Sequence, residues 1–294
     1  MTRRFAWVLN LDVELELLRG KRGYVAPRKL TEQLASHGRS ARRLLGPSDM
    51  LLDEGAITPS GASVARGRAW CPSPMALELM RRAGVEPEPH PSADVLRRVN
   101  HRAFAHELGG GLAEQTYVRT RAELERVLDS RPRRWLLKRP LAFAGRGQQR
   151  VFGPLSAKQE EWVAASFVHD GLLVEPQVEP LLELSLHGFV WPDGRSELGR
   201  ICRQEVSEHG HFQDVRLALP DELTAPEAVA FTERAAAVAR ALHRAGYFGP
   251  FGIDGYRYAL DEQAGFCALG EINARYTLGF VTGFPRHPSE LSLD

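Results

Sequence analysis

The segment GPFGIDGYRYALDEQAGFCALGEINARYTLGF, Gly249–Phe280, decides how this chain is read. It holds two strand-like runs, Gly252–Tyr258 and Phe266–Asn273, flanking the turn-rich Asp261-Glu262-Gln263-Ala264-Gly265. Opposite residues of an antiparallel pair share a constant index sum. For Asp254 and Glu271 that sum is 525, which centres the pairing at 262.5, inside the turn. The two carboxylates are therefore expected to face each other across neighbouring strands, with Cα atoms about 4.5 to 5.5 Å apart. Glu271, Asn273 and Arg275 are spaced by two, so an extended chain puts all three on one face.

Two carboxylates that close repel unless a cation lies between them. An oxygen-only donor set of Asp254, Glu271 and Asn273 points to Mg2+ or Mn2+ shared with substrate phosphates. Arg275 would then stabilise negative charge developing beside the metal. The plainer alternative is a wet sheet face on which Arg275 neutralises two acids. Asn273 has low strand propensity, and Gly270 leaves backbone accessible, which favours the functional alternative.

Upstream, RRWLLKRPLAFAGRGQQRVF (Arg133–Phe152) runs as an apolar strand into Lys138, followed by a loop with Gly145, Arg146 and Gly147. Glycines let backbone N–H groups approach phosphate oxygens, and a lysine adds a point charge. Only Lys21, Lys29, Lys138 and Lys158 are lysines among 38 basic residues, so Lys138 at a strand end stands out. A glycine-rich hairpin loop without function is the competing explanation. Between these segments, LLVEPQVEPLLELSLHGFV (Leu172–Val190) breaks at Glu175-Pro176-Gln177-Val178 and resumes near Glu183. Chain leaving a strand exposes the donor and acceptor pair that an adenine edge needs, Pro176 keeping only its carbonyl. Glu183 could accept from ribose hydroxyls. By itself this stretch is an acidic link.

The rest of the chain supplies a frame. The S/T-x-x-E/Q capping spacing recurs at Thr120/Glu123, Ser156/Gln159 and Thr224/Glu227, and Ser73-Pro74 opens another helix. Further strands are expected at Phe5–Leu9, Trp135–Lys138, Leu172–Val174 and Leu184–Val190, a hairpin turn at Trp191–Gly194, and a long helix over about Pro226–Ala245. Helices and strands intermixed along 294 residues define an α/β or α+β protein of more than one core. Val85–Asp94, rich in proline and acid, reads as a connector after a first domain, residues 1–95.

Net charge is +1, which speaks against a dedicated polyanion binder, although residues 1–150 carry +11 and residues 151–294 carry −10. The arginines of the basic half are scattered rather than interleaved with aromatics, so no nucleic-acid partner is expected. Three distant cysteines, Cys71, Cys202 and Cys267, show no disulfide or zinc spacing. Acidic residues at 12, 14 and 16 interrupt the N-terminal apolar run, and no apolar stretch is long enough to span a bilayer. A cytoplasmic protein without a membrane partner is the expectation.

In order, strand-Lys138 with its glycine loop, the acidic hinge, and Asp254 with Glu271-Ile272-Asn273-Ala274-Arg275 resemble the ATP-grasp superfamily of ATP-dependent carboxylate–amine ligases. The resemblance covers roughly residues 98–280, with Glu-x-Asn-x-Arg its specific part. It implies two α+β lobes (96–178 and 179–294) that clasp ATP, preceded by a Rossmann-like domain. Carried over, Lys138 and the Gly145–Gly147 loop hold the phosphates, and the Pro176 carbonyl and Val178 N–H hold adenine. Glu175 belongs to the same hinge, and Glu183 binds ribose. Asp254, Glu271 and Asn273 hold Mg2+, Arg275 steadies an acyl phosphate, and Arg203 (or Arg200) adds a phosphate contact. Many members carry an earlier lysine where this chain has His101 and Arg102.

The implied partners are a small-molecule carboxylate and an amine, such as an amino acid or peptide, and a homodimer is compatible. The loop Ser207–Asp214, with His209 and His211, could cover substrate. An ATP-grasp kinase and a non-catalytic nucleotide-binding protein are the alternatives.

Overall fold

The computed structural model describes residues 4–19, 37–52, 66–131, 133–142, 147–168, 170–206, 212–261 and 263–293. Three sheets succeed one another along the chain. The first joins β1 (Phe5–Val8), β2 (Met50–Leu51) and β3 (Arg66–Ala69) in parallel, in the order β2-β1-β3. Parallel strands are covered on both faces, and β1 shows it. Phe5 and Trp7 enter one apolar core, while Ala6 and Val8 enter another. Helices α1 (Val13–Arg19) and α2 (Pro74–Arg82) belong to this layer, the second capped by the Ser73 side chain as the sequence predicts.

The Val85–Asp94 stretch is not a free linker. Gly67 N–H donates to the Glu86 carbonyl at 2.7 Å and Glu88 N–H to the Gly67 carbonyl at 2.9 Å, so the segment runs along β3. Glu88 is buried and forms a bidentate ion pair with buried Arg68, which also donates to the carbonyls of Pro288 and Leu291. Helices α3 (Ala93–Asn100) and α4 (Arg102–Glu107) follow it.

The second sheet is antiparallel and has its own core, including Val118, Leu124, Leu137, Val163 and Val174. It comprises β4 (Thr116–Val118), β5 (Trp135–Lys138), β6 (Gln148–Val151) and β7 (Leu172–Pro176), ordered β4-β7-β5-β6. Helices α5 (Arg121–Ser130) and α6 (Ala157–Phe167) each open on a complete capping box. Gly147 adopts φ +65°, and a Cβ there would stand 2.8 Å from that of Ala142. Its carbonyl accepts from Arg139 N–H at 2.8 Å and closes the base of the loop after β5. Gly145 and Arg146 lie outside the described residues.

The third sheet runs β10-β9-β8-β11-β12, with β8 (Glu179–Val190), β9 (Ser196–Val206), β10 (Phe212–Leu217), β11 (Gly249–Leu260) and β12 (Gln263–Asn273) all antiparallel. The turn at Trp191–Gly194 joins β8 to β9, with Gly194 at φ +89°. Helix α7 (Ala225–Arg244) has the full Thr224/Glu227 box and lays Phe231, Ala235, Val238, Ala239 and Leu242 against one face of this sheet. That spacing repeats with the helical period, so the burial is one continuous stripe. A short helix, α8 (Phe280–Gly283), packs near β8, β9 and β10. No described helix is long and apolar enough to cross a membrane.

Candidate active site

Strands β11 and β12 bring the acids together as the index sum predicts: Asp254 pairs with Glu271, Ile253 with Ile272 and Gly252 with Asn273. Beyond Asp254 the register shifts. Tyr256 pairs with Cys267, so β12 spends three residues where β11 spends one, and the turn closes between Leu260 and Gln263. Gly270 sits in that irregularity, where a Cβ would lie 2.7 Å from the Tyr256 ring. Its lack of a side chain thus makes room for Tyr256, rather than opening backbone to a ligand.

On the face carrying Asp254, the polar groups interlock. Asn273 Nδ2 donates to Asp254 Oδ2 at 2.8 Å, and Gln204 Nε2 to Oδ1 at 2.6 Å. Arg275 Nη2 donates to Asn273 Oδ1 at 2.9 Å, and its Nε to Glu14 Oε1 at 2.5 Å. Arg102 Nη2 donates to Glu271 Oε1 at 2.9 Å. Burial, with the facing charge of Glu271, pushes the Asp254 carboxyl up to about 7, against the pull of its two amide donors. Taking a carboxylate out of water beside another one disfavours its charged form. A divalent cation would relieve both causes.

The donors fit such a cation. They are oxygens only, and each Asp254 oxygen keeps a lone pair beyond its one amide bond. Among the described residues no cluster of three or more His, Cys, Asp or Glu could hold a metal by itself. Two carboxylates and an amide, with the remaining positions left for phosphate and water, match how Mg2+ is held in phosphate-handling sites.

Lys138 ends β5, and its Nζ lies 2.5 Å from Glu175 Oε1 on neighbouring β7. Glu175 is 4% exposed, and Pro176 pairs with Trp135, so both lie inside the strand. The acidic link expected to begin at Glu175 therefore begins at Gln177, and Glu175 pairs with Lys138 inside the strand. Val178 is half-buried between β7 and β8. Glu183 pairs with Tyr256, which puts it on the Asp254 face, and burial raises its carboxyl.

Arg203 is a correction. It pairs with Leu184, which pairs with Gly255, so its row belongs to the helix-covered face of the sheet. There it bonds to Glu222 in the turn before α7. Gln204, one residue on, is the β9 side chain that reaches the acids. The sequence reading missed it because the parity of β9 is set by pairing with β8, not by any local signal. Glu14 was also missed, lying 261 positions from Arg275 with no motif around it. Residues 207–211, including His209 and His211, lie outside the described residues.

No protein-family model matches the chain, and no curated protein sequence matches it. Solved structures do match in shape. D-alanyl-alanine synthetase A from Vibrio cholerae superposes with a TM-score of 0.58 at 12% identity, over 99% of this chain and 94% of that one. N5-carboxyaminoimidazole synthase from Aspergillus clavatus, in complex with ADP and 5-aminoimidazole ribonucleotide, gives 0.54 at 17%, over 100% and 78%. Pyruvate carboxylase from Rhizobium etli gives 0.56 at 16%, over 95% of this chain and 24% of that one. The chain has the ATP-grasp fold.

Proposed function

We propose that the protein is an ATP-dependent carboxylate–amine ligase using Mg2+. The observation that carries this reading is the Asp254–Glu271 pair with Asn273 bonded to Asp254, on a sheet whose fold is that of ligases. Asp254, Glu271 and Asn273 would hold the metal, whose role is to neutralise charge on the transferring phosphoryl group. Lys138, steadied by Glu175, would contact the phosphates, with Gly145, Arg146 and Gly147 in the loop over them. The hinge at Pro176 and Val178 would meet adenine and Glu183 the ribose.

In the reaction, a carboxylate oxygen of the substrate bonds to the γ-phosphorus as the bond to ADP breaks. The amine nitrogen then bonds to the acyl carbon, phosphate departs with the C–O bond electrons, and the nitrogen loses a proton. Arg275, held by Glu14 and Asn273, would stabilise the acyl phosphate oxygens. Closure of the lobes would keep water from that intermediate.

A screen of carboxylates crossed with amines, read by ADP release and by product mass, tests the reading. Glu271→Gln and Asn273→Ala should each lower substrate-dependent turnover by a factor on the order of 100 or more with the fold intact. Unchanged turnover in both variants refutes the site. ADP release that needs no amine, with a phosphorylated product, would identify a kinase.

A further inference from the structure

Arg102 opens α4 and is 6% exposed. Its place is fixed from several sides. His101 Nδ1 caps the helix by accepting from Ala103 N–H at 3.1 Å, and Arg102 N–H donates to the Pro140 carbonyl at 3.0 Å. Its guanidinium donates through Nη1 to the Arg139 carbonyl and through Nη2 to Glu271 Oε1. Arg139 and Pro140 directly follow Lys138, and Glu271 is half of the acid pair. One buried guanidinium thus spans from the end of the lysine strand to the candidate metal ligands.

The contact is not a neutral structural bond. A guanidinium keeps its charge at every physiological pH, so a metal ion ligated by Glu271 would meet a fixed positive charge on the same carboxylate. Like charges at that separation repel strongly in a partly buried site. Arg275, a second guanidinium in this polar network, is already committed to Glu14, Asn273 and the Tyr276 carbonyl. Of these two guanidinium groups, Arg102 alone bonds the acid pair directly.

We propose that Arg102 is a displaceable counter-ion of the acid pair: it neutralises Glu271 until a divalent metal enters, and then turns to the phosphates that the metal carries with it. The inference rests on the metal-site reading of Asp254, Glu271 and Asn273. Free metal alone must coexist with the guanidinium, whereas a metal–nucleotide complex offers it phosphate oxygens in exchange. Metal and nucleotide then bind as one unit, and the acid pair stays neutralised between turnovers.

The test measures binding of free Mn2+ by the loss of its electron-spin resonance signal in the absence of nucleotide, and binding of Mg-ATP by titration calorimetry. Arg102→Met should bind free Mn2+ about tenfold more tightly than wild type and Mg-ATP about tenfold more weakly. Arg102→Lys, which keeps the charge but loses the fork, should stay near wild type for free Mn2+ and still weaken ATP binding. Opposite signs for metal and nucleotide are the signature, because a purely structural arginine would weaken both. Free Mn2+ binding that is unchanged or weaker in a folded Arg102→Met overturns the inference. Failure of wild type to bind either free Mn2+ or Mg-ATP removes the metal site itself, and Glu271→Gln losing both shows that the site is the one intended.

Discussion

His187 stands two residues along β8 from Ser185, the residue paired with Asp254. Its ring is 2% exposed, with Ser185 Oγ 3.2 Å from Nε2 and Thr277 Oγ1 2.9 Å from Nδ1. Gly279 and Gly283 press so near that a Cβ on either would lie within 2.7 Å of the ring. Burial lowers its pKa to about 4, so the ring is neutral in the folded protein across the physiological range. The network ties the loop after Arg275 to the strand that faces Asp254. Nothing in the sequence marks His187, since a histidine inside an apolar strand reads the same whether it is bonded or merely tolerated.

Its depressed pKa has a signed consequence. The unfolded chain takes up a proton near pH 6.5 and the folded one only near 4, so stability is full above 6.5 and declines as pH falls between the two. The loss amounts to about 3 kcal/mol at most. Denaturant unfolding at pH 7.5 and pH 4.5 should show His187→Asn with a smaller pH dependence than wild type. Equal dependence in both proteins would mean that folding does not lower the pKa of the ring.

At the scale of elements, the β11–β12 hairpin was the most legible feature, because an index sum needs only a turn and two strands. The irregularity after Asp254 was not legible, since the sum assumes a regular ladder. The inside–outside parity of β9 was equally hidden, and it decides between Arg203 and Gln204. Strand β3, reading Arg-Gly-Arg-Ala, looks too polar for a buried strand until Glu88 and the carbonyls of Pro288 and Leu291 are seen around Arg68. The helix starts were legible because capping boxes are local.

The other face of the hairpin carries its own requirement. A Cβ on Gly255 would lie 2.7 Å from the Phe231 ring of α7 and 2.9 Å from the Cys267 carbonyl. Gly255→Ala should therefore destabilise by about 1–3 kcal/mol through overpacking, measured by chemical denaturation. A change within half a kcal/mol would show that α7 can withdraw from the strand at little cost.

Across the whole molecule, charged and polar side chains link the three sheets, beside the apolar core that the first and third share. Glu14 after β1 holds Arg275, Arg275 holds Asn273, and Asn273 holds Asp254, so a side chain of the first layer ends a chain of bonds at the candidate metal site. Arg102 joins the second layer to the third in the same way. The charge imbalance between halves is partly consumed by such pairs, with Arg102–Glu271 and Arg133–Asp261 crossing from the basic half to the acidic one. A composition count cannot see that, because partners so distant in sequence are set only by the fold.

The central claim is that one hairpin holds a divalent ion together with a triphosphate. Titration calorimetry of ATP into wild type and Glu271→Gln, each with and without Mg2+, tests it most directly. Binding by wild type should depend on Mg2+ and be weakened at least about tenfold in the variant. ATP binding that ignores both the metal and the substitution, or no binding by wild type with Mg2+ present, would contradict it.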